Sequence, residues 1–150
     1  MSYQNELYQE VILDHNKNPR NFRALVAPAQ TAQGHNPLCG DKVTVYVKMN
    51  GDIVEDISFE GAGCAISTAS ASLMTESLKG RSRREIQNLF KQFHGLVTGQ
   101  QESGANGAEL GKLAVFHGVS EYPIRVKCAT LVWHTLQAAL ENKQAPVSTE

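Results

Sequence analysis

Apolar and polar residues alternate most cleanly between residues 43 and 49, where Val43, Val45, Val47 and Met49 are separated by Thr44, Tyr46 and Lys48. A period of two sets one group on one face of a strand, so this stretch predicts half-buried β structure. Asn50-Gly51 follows, a pair suited to the positive φ angles of a two-residue hairpin turn. The return strand, from about Ile53 to Glu60, places Ile53, Ile57 and Phe59 on one face, with Glu55 interrupting the pattern.

Helical spacing dominates elsewhere. Residues 3–16 read as a helix with Leu7, Val11 and Ile12 on one face, ending before Asn18-Pro19, because proline disfavours helix at the residue before it. A second helix is expected from about Ser67 to Lys79, with Gly80 as its C-terminal cap. Ser82-Arg83-Arg84-Glu85 matches a capping box and opens a helix that aligns Ile86, Leu89, Phe90 and Phe93. The last helix spans about Ile124 to Asn142, with Cys128, Leu131, Val132, Leu136, Ala139 and Leu140 near one face.

Three stretches lack such a pattern. Residues 20–41 carry Pro28, Gly34, Pro37 and Gly40 and read as an extended loop that delivers Cys39. Residues 94–120 read as a glycine-rich loop, with one helical turn near Glu109 to Val115. The tail, residues 143–150, is expected to fray. The order of elements predicts an α+β fold, a small antiparallel sheet with helices packed on it, in a single domain over residues 1–150.

Composition narrows the setting. A chain of 150 residues with 41% hydrophobic and 19% charged residues has the make-up of a soluble globular domain. A net charge of −1 gives no global pull toward nucleic acid or membrane. The first residues lack the basic and apolar regions of a signal peptide, and no apolar run approaches the roughly 20 residues of a membrane helix. A cytoplasmic location is expected, where widely spaced cysteines serve metals or catalysis more often than disulfides.

There are three cysteines, an odd number that cannot close completely into disulfides within the chain. Cys39 stands in Cys39-Gly40-Asp41, Cys64 follows Gly61-Ala62-Gly63, and Cys128 follows Arg125-Val126-Lys127. Three thiolates and the Asp41 carboxylate supply the four ligands of a tetrahedral Zn²⁺ site. Cys64 lies just ahead of a helix, where unpaired N–H groups and the helix dipole favour a thiolate. Arg125 and Lys127 are candidates for charge compensation or partner contact, since such a site would carry about −2. Spacing alone leaves a second reading open, three buried cysteines packed as small hydrophobes.

The wording around the cysteines carries more. Asn36-Pro37-Leu38-Cys39-Gly40-Asp41, Phe59-Glu60-Gly61-Ala62-Gly63-Cys64-Ala65-Ile66-Ser67 and Arg125-Val126-Lys127-Cys128-Ala129-Thr130-Leu131 resemble the three cysteine regions of U-type iron–sulfur cluster assembly proteins, the IscU/SufU family. Leu7-Tyr8, Asp14-His15 and Asn18-Pro19-Arg20-Asn21-Phe22 resemble its N-terminal segment. Two features favour the SufU branch. Lys127 stands where the IscU branch has a histidine, and Tyr122-Pro123-Ile124-Arg125-Val126-Lys127 replaces a Leu-Pro-Pro-Val-Lys string. The glycine-rich stretch 94–120 also looks like the insertion typical of SufU.

The resemblance implies that Cys39, Asp41, Cys64 and Cys128 bind Zn²⁺. It further implies that one cysteine takes persulfide sulfur from a SufS-like cysteine desulfurase and passes it to downstream iron–sulfur assembly proteins. Cys39 is the acceptor this reading selects, because its Gly/Pro-rich segment can move without breaking a helix. The alternatives are a scaffold holding iron or a transient [2Fe–2S] cluster in the same four ligands, and a purely structural zinc. None of the five histidines falls in a cysteine string. His15 and His35 read as helix-end and loop hydrogen-bonders, His94 and His117 as surface residues, and His134 as ordinary packing.

Overall fold

The hairpin forms the centre of a sheet. In the computed structural model, which describes residues 3–25, 30–37, 40–99, 110–141 and 147–148, β2 (Asp41–Asn50) and β3 (Ile53–Ala62) pair antiparallel. The turn lies one residue later than its sequence suggests. Asn50 pairs with Ile53, and the two-residue loop is Gly51-Asp52, with Gly51 at φ +62°. The register slips between Lys48 and Met49, which face Asp56 and Val54, so Glu55 is the extra residue of a β-bulge. The interruption at Glu55 is thus a bulge that reverses the pleat: Val54 turns inward and is fully buried, while Ile53, expected inside, is 42% exposed.

Residues 30–36, expected as loop, form a strand. β1 (Gln30–Asn36) pairs antiparallel with β2 from Gln30↔Val47 to Asn36↔Asp41. Its inward residues are Ala32, Gly34 and Asn36, too small or polar to show a hydrophobic alternation. Gly34 has a packing role: a Cβ there would overlap the Thr135 hydroxyl and stand 3.1 Å from Leu131 Cδ1. Within the tail expected to fray, Val147–Ser148 form β4, parallel to β1 at Gly34 and His35. β1 offers an unpaired edge there, and Val147 packs on the core. The sheet order is β3-β2-β1-β4.

Among the described residues, four α-helices with full bounds accompany the sheet: α1 (Tyr3–Lys17), α2 (Ala65–Leu78), α3 (Arg83–Thr98) and α4 (Pro123–Leu140). α4 crosses β1 and β2, α2 lies over β3 and beside α4, and α1 packs against α2. α2 is lined with alanine and serine on several sides, which lets its neighbours approach closely. Its Ser70 hydroxyl donates to the Ala129 carbonyl at 2.6 Å, and Ser72 meets His15 of α1 at 2.6 Å. Both halves of the capping box at Ser82 and Glu85 are formed, and Gly80, at φ +86°, follows the end of α2.

The expected loop 94–120 is largely structured where it is described. α3 continues to Thr98, because Leu96 and Val97 reach the core. A 3₁₀ helix then covers Gly111–Glu121. Leu113, Phe116 and Val119, three residues apart, are all buried in it, the spacing a helix of three residues per turn brings to one face. Trp133 stacks on Phe93 at 4.7 Å, and Phe116 meets Phe93 edge-on at 5.7 Å. Among the described residues, no helix is long and apolar enough to cross a membrane.

Candidate metal centre

Three elements end at one point. Asp41 opens β2 and is fully buried. Cys64, at the end of the short link from β3, is the N-cap of α2. Cys128, on α4, is buried. One ligand atom from each of these three residues lies within 4.8 Å of the others. Tetrahedral Zn²⁺ with bonds of about 2.0–2.3 Å has ligand–ligand edges of about 3.3–3.8 Å. The Cys64 Sγ to Asp41 Oδ2 distance is 3.8 Å.

Hydrogen bonds hold the donors in place. The Cys64 amide donates to Asp41 Oδ1 at 2.8 Å. The Ser67 amide, in the first turn of α2, donates to Cys64 Sγ at 3.4 Å, so this sulfur meets the positive end of the helix. The Asn36 side-chain amide donates to Cys128 Sγ at 3.7 Å. Gly63 provides space for the carboxylate. A Cβ there would stand 2.5 Å from Asp41 Oδ1, so the bare glycine admits the carboxylate itself.

The chemistry of this donor set suits a thiophilic cation. Among the described residues, no ion pair reaches Asp41, and an uncompensated buried carboxylate costs several kcal/mol. A divalent ion between it and two sulfurs removes that cost. Thiolate-rich sites take Zn²⁺ or iron, so the residues fit both.

Cys39 lies outside the described residues; the β1–β2 connection that carries it begins and ends at the Asn36↔Asp41 pair. Arg125 is exposed, its guanidinium 4.3 Å from the centre of the Tyr122 ring. Lys127 is half-buried immediately before Cys128. No described histidine joins the three-residue group. His15 is buried against Ser72, His134 packs edge-on to Phe90 at 5.3 Å, and His35 lies on strand β1 rather than in a loop. Asn36 is the residue that sequence reasoning missed. Its signal was a polar residue at the inward parity of Ala32 and Gly34, next to the cysteine segment.

Known proteins resemble this chain over most of its length. The family model described as the NifU-like N terminal domain matches residues 7–142. The zinc-dependent sulfurtransferase SufU of Bacillus subtilis is 40% identical over 138 residues, covering 92% of each chain. The iron–sulfur cluster assembly scaffold protein IscU of Streptococcus pyogenes is 40% identical over 142 residues, covering 95% of this chain and 87% of its own. Among solved structures, a candidate iron–sulfur cluster assembly scaffold protein for the SUF system from Fervidobacterium islandicum superposes with a TM-score of 0.81. It is 36% identical and covers 90% of this chain and 97% of its own.

Proposed function

The chain belongs to the NifU-like N-terminal domain family, and from that premise we propose that it is a zinc-bearing sulfur acceptor in iron–sulfur cluster assembly. The observation that carries this reading is the convergence of Asp41, Cys64 and Cys128 within 4.8 Å at a buried carboxylate. Cys39 completes a four-ligand set, since covalent geometry keeps its Cα within about 7.6 Å of that of Asp41. When bound, zinc keeps coordinating sulfurs deprotonated. The name of the Bacillus subtilis relative supports the reading.

The partner is a SufS-like cysteine desulfurase carrying a persulfide on its own cysteine. The Cys39 thiolate attacks the terminal sulfur of that persulfide. A new S–S bond forms at Cys39 as the desulfurase S–S bond breaks, and the desulfurase cysteine leaves as a thiolate. Charge and electrons balance, with no external oxidant or reductant. The sulfur then passes to downstream iron–sulfur assembly proteins in the cytoplasm. Cys39 is favoured over the other two because its segment is rich in glycine and proline, whereas Cys64 caps α2 and Cys128 lies within α4.

The equally similar Streptococcus pyogenes relative, named as a scaffold, supports a second reading in which the same four residues hold a transient [2Fe–2S] cluster. Incubation with desulfurase and free cysteine, followed by peptide mass spectrometry, tests the first. One added sulfur atom on the peptide carrying Cys39, absent in Cys39→Ser, is the expected result. A Cys39→Ser chain that still accepts sulfur removes the assignment.

A further inference from the structure

Asn36 occupies a place that its chemistry explains better than packing does. It is fully buried at the end of β1, beside Asp41 in the strand register. An apolar side chain would suit such a position without any need for a hydrogen-bond partner. Its Nδ2 instead donates to Cys128 Sγ across the sheet–helix interface, at 3.7 Å. We infer that Asn36 is a positioning residue for the metal centre, holding the Cys128 sulfur by an N–H···S bond and tuning its strength as a ligand. This rests on the reading that Cys128 binds the metal.

A thiolate that accepts an N–H bond is a charge-assisted acceptor, and part of its negative charge is drawn toward the donor. Groups that hydrogen-bond to metal ligands orient them, and their removal typically lowers metal affinity by about 10–100-fold. Cys64 obtains the same support from the Ser67 backbone amide at the α2 N-terminus. Cys128 lies beyond the first turn of α4, where helix amides are engaged within the helix. Asn36, on β1, supplies an N–H donor from outside the helix.

The test uses the full-length chain with Asn36→Leu, which keeps the volume without the donor, and Asn36→Asp, which keeps the shape but replaces the amide by carboxyl oxygen. Zinc affinity is measured by competition with a chromophoric chelator, and the thiolate-to-cobalt charge-transfer band is recorded after Co²⁺ substitution. Circular dichroism identifies any variant that does not fold, and the folded one decides. The expected result is zinc binding weakened by about 10–100-fold and a cobalt band moved to longer wavelength, because a sulfur without its N–H bond gives up charge more easily. In a Cys128→Ser background the Asn36 substitution should add nothing further, since the two residues act as one unit. An Asn36→Leu chain with unchanged affinity and an unmoved band, or full additivity with Cys128→Ser, overturns the inference alone. A wild-type chain that binds neither ion overturns the metal reading and this inference with it.

Discussion

A Cβ on Gly63 would stand 2.5 Å from Oδ1 of Asp41, the oxygen that accepts the Cys64 amide. The glycine, the carboxylate and the cysteine therefore form one constraint: the chain can bring Cys64 to the site only by passing hard against Asp41. Asp41 Cγ and Cβ would also be crowded, at 3.1 and 3.2 Å, so a small swing of the carboxylate does not relieve the contact.

Gly63→Ala should push Asp41 off its position and separate it from Cys64. Overpacking of this kind destabilises by about 1–3 kcal/mol, and zinc affinity should fall by about tenfold or more as the donor set is misplaced. Chelator competition together with denaturant unfolding checks both. An alanine variant that binds zinc like the wild type contradicts the constraint.

Asp41→Asn separates the charge of the carboxylate from its hydrogen bond. The amide oxygen can still accept the Cys64 N–H, while the buried negative charge is gone. The metal-free variant should be as stable as the wild type or more so, because no ion pair among the described residues compensates the carboxylate. Its zinc affinity should fall by about tenfold or more. Equal zinc binding in the two proteins would remove Asp41 from the ligand set.

His15 makes the fold sensitive to acid. Burial, followed by the charge of Arg20, lowers its pKa below the ordinary 6.5, against weaker opposing effects of Glu76 and Asp14. The unfolded chain then binds the proton more readily. The contribution to stability is complete above the unfolded value and is lost as pH falls below it. His134 is shifted the same way by burial and then by His94. Comparing unfolding midpoints at about pH 7.5 and pH 5.5, His15→Gln should lose less stability than the wild type. Equal losses would show that His15 does not contribute.

Gly34→Ala should loosen β1 from α4, because the new methyl overlaps the Thr135 hydroxyl. A loss of about 1–3 kcal/mol is expected. Thr135→Ala in the same chain should recover part of it, and simple additivity of the two changes would contradict the contact.

Much of this architecture could be read from the chain where side chains declare their surroundings. The alternation in β2 and the Ser82–Glu85 capping box needed no tertiary information. β1 could not be seen because its inward residues, Ala32, Gly34 and Asn36, are small or polar, and at Gly34 α4 leaves no room for a Cβ. The 3₁₀ helix was read only as one turn near Glu109 to Val115 because of its glycines, although Leu113, Phe116 and Val119 repeat at its period. At the site, the residue types and the strings around Asp41, Cys64 and Cys128 suggested ligands, and folding brings them together. Asn36 stayed hidden because an asparagine beside a proline reads first as a turn residue.

The metal content of freshly purified protein, measured beside desulfurase turnover with and without it, tests the zinc-bearing acceptor most directly. Stoichiometric zinc, with a large rise in turnover that Cys39→Ser abolishes, is the expected result. Bound iron and labile sulfide, with turnover unchanged, would contradict it and point to the scaffold.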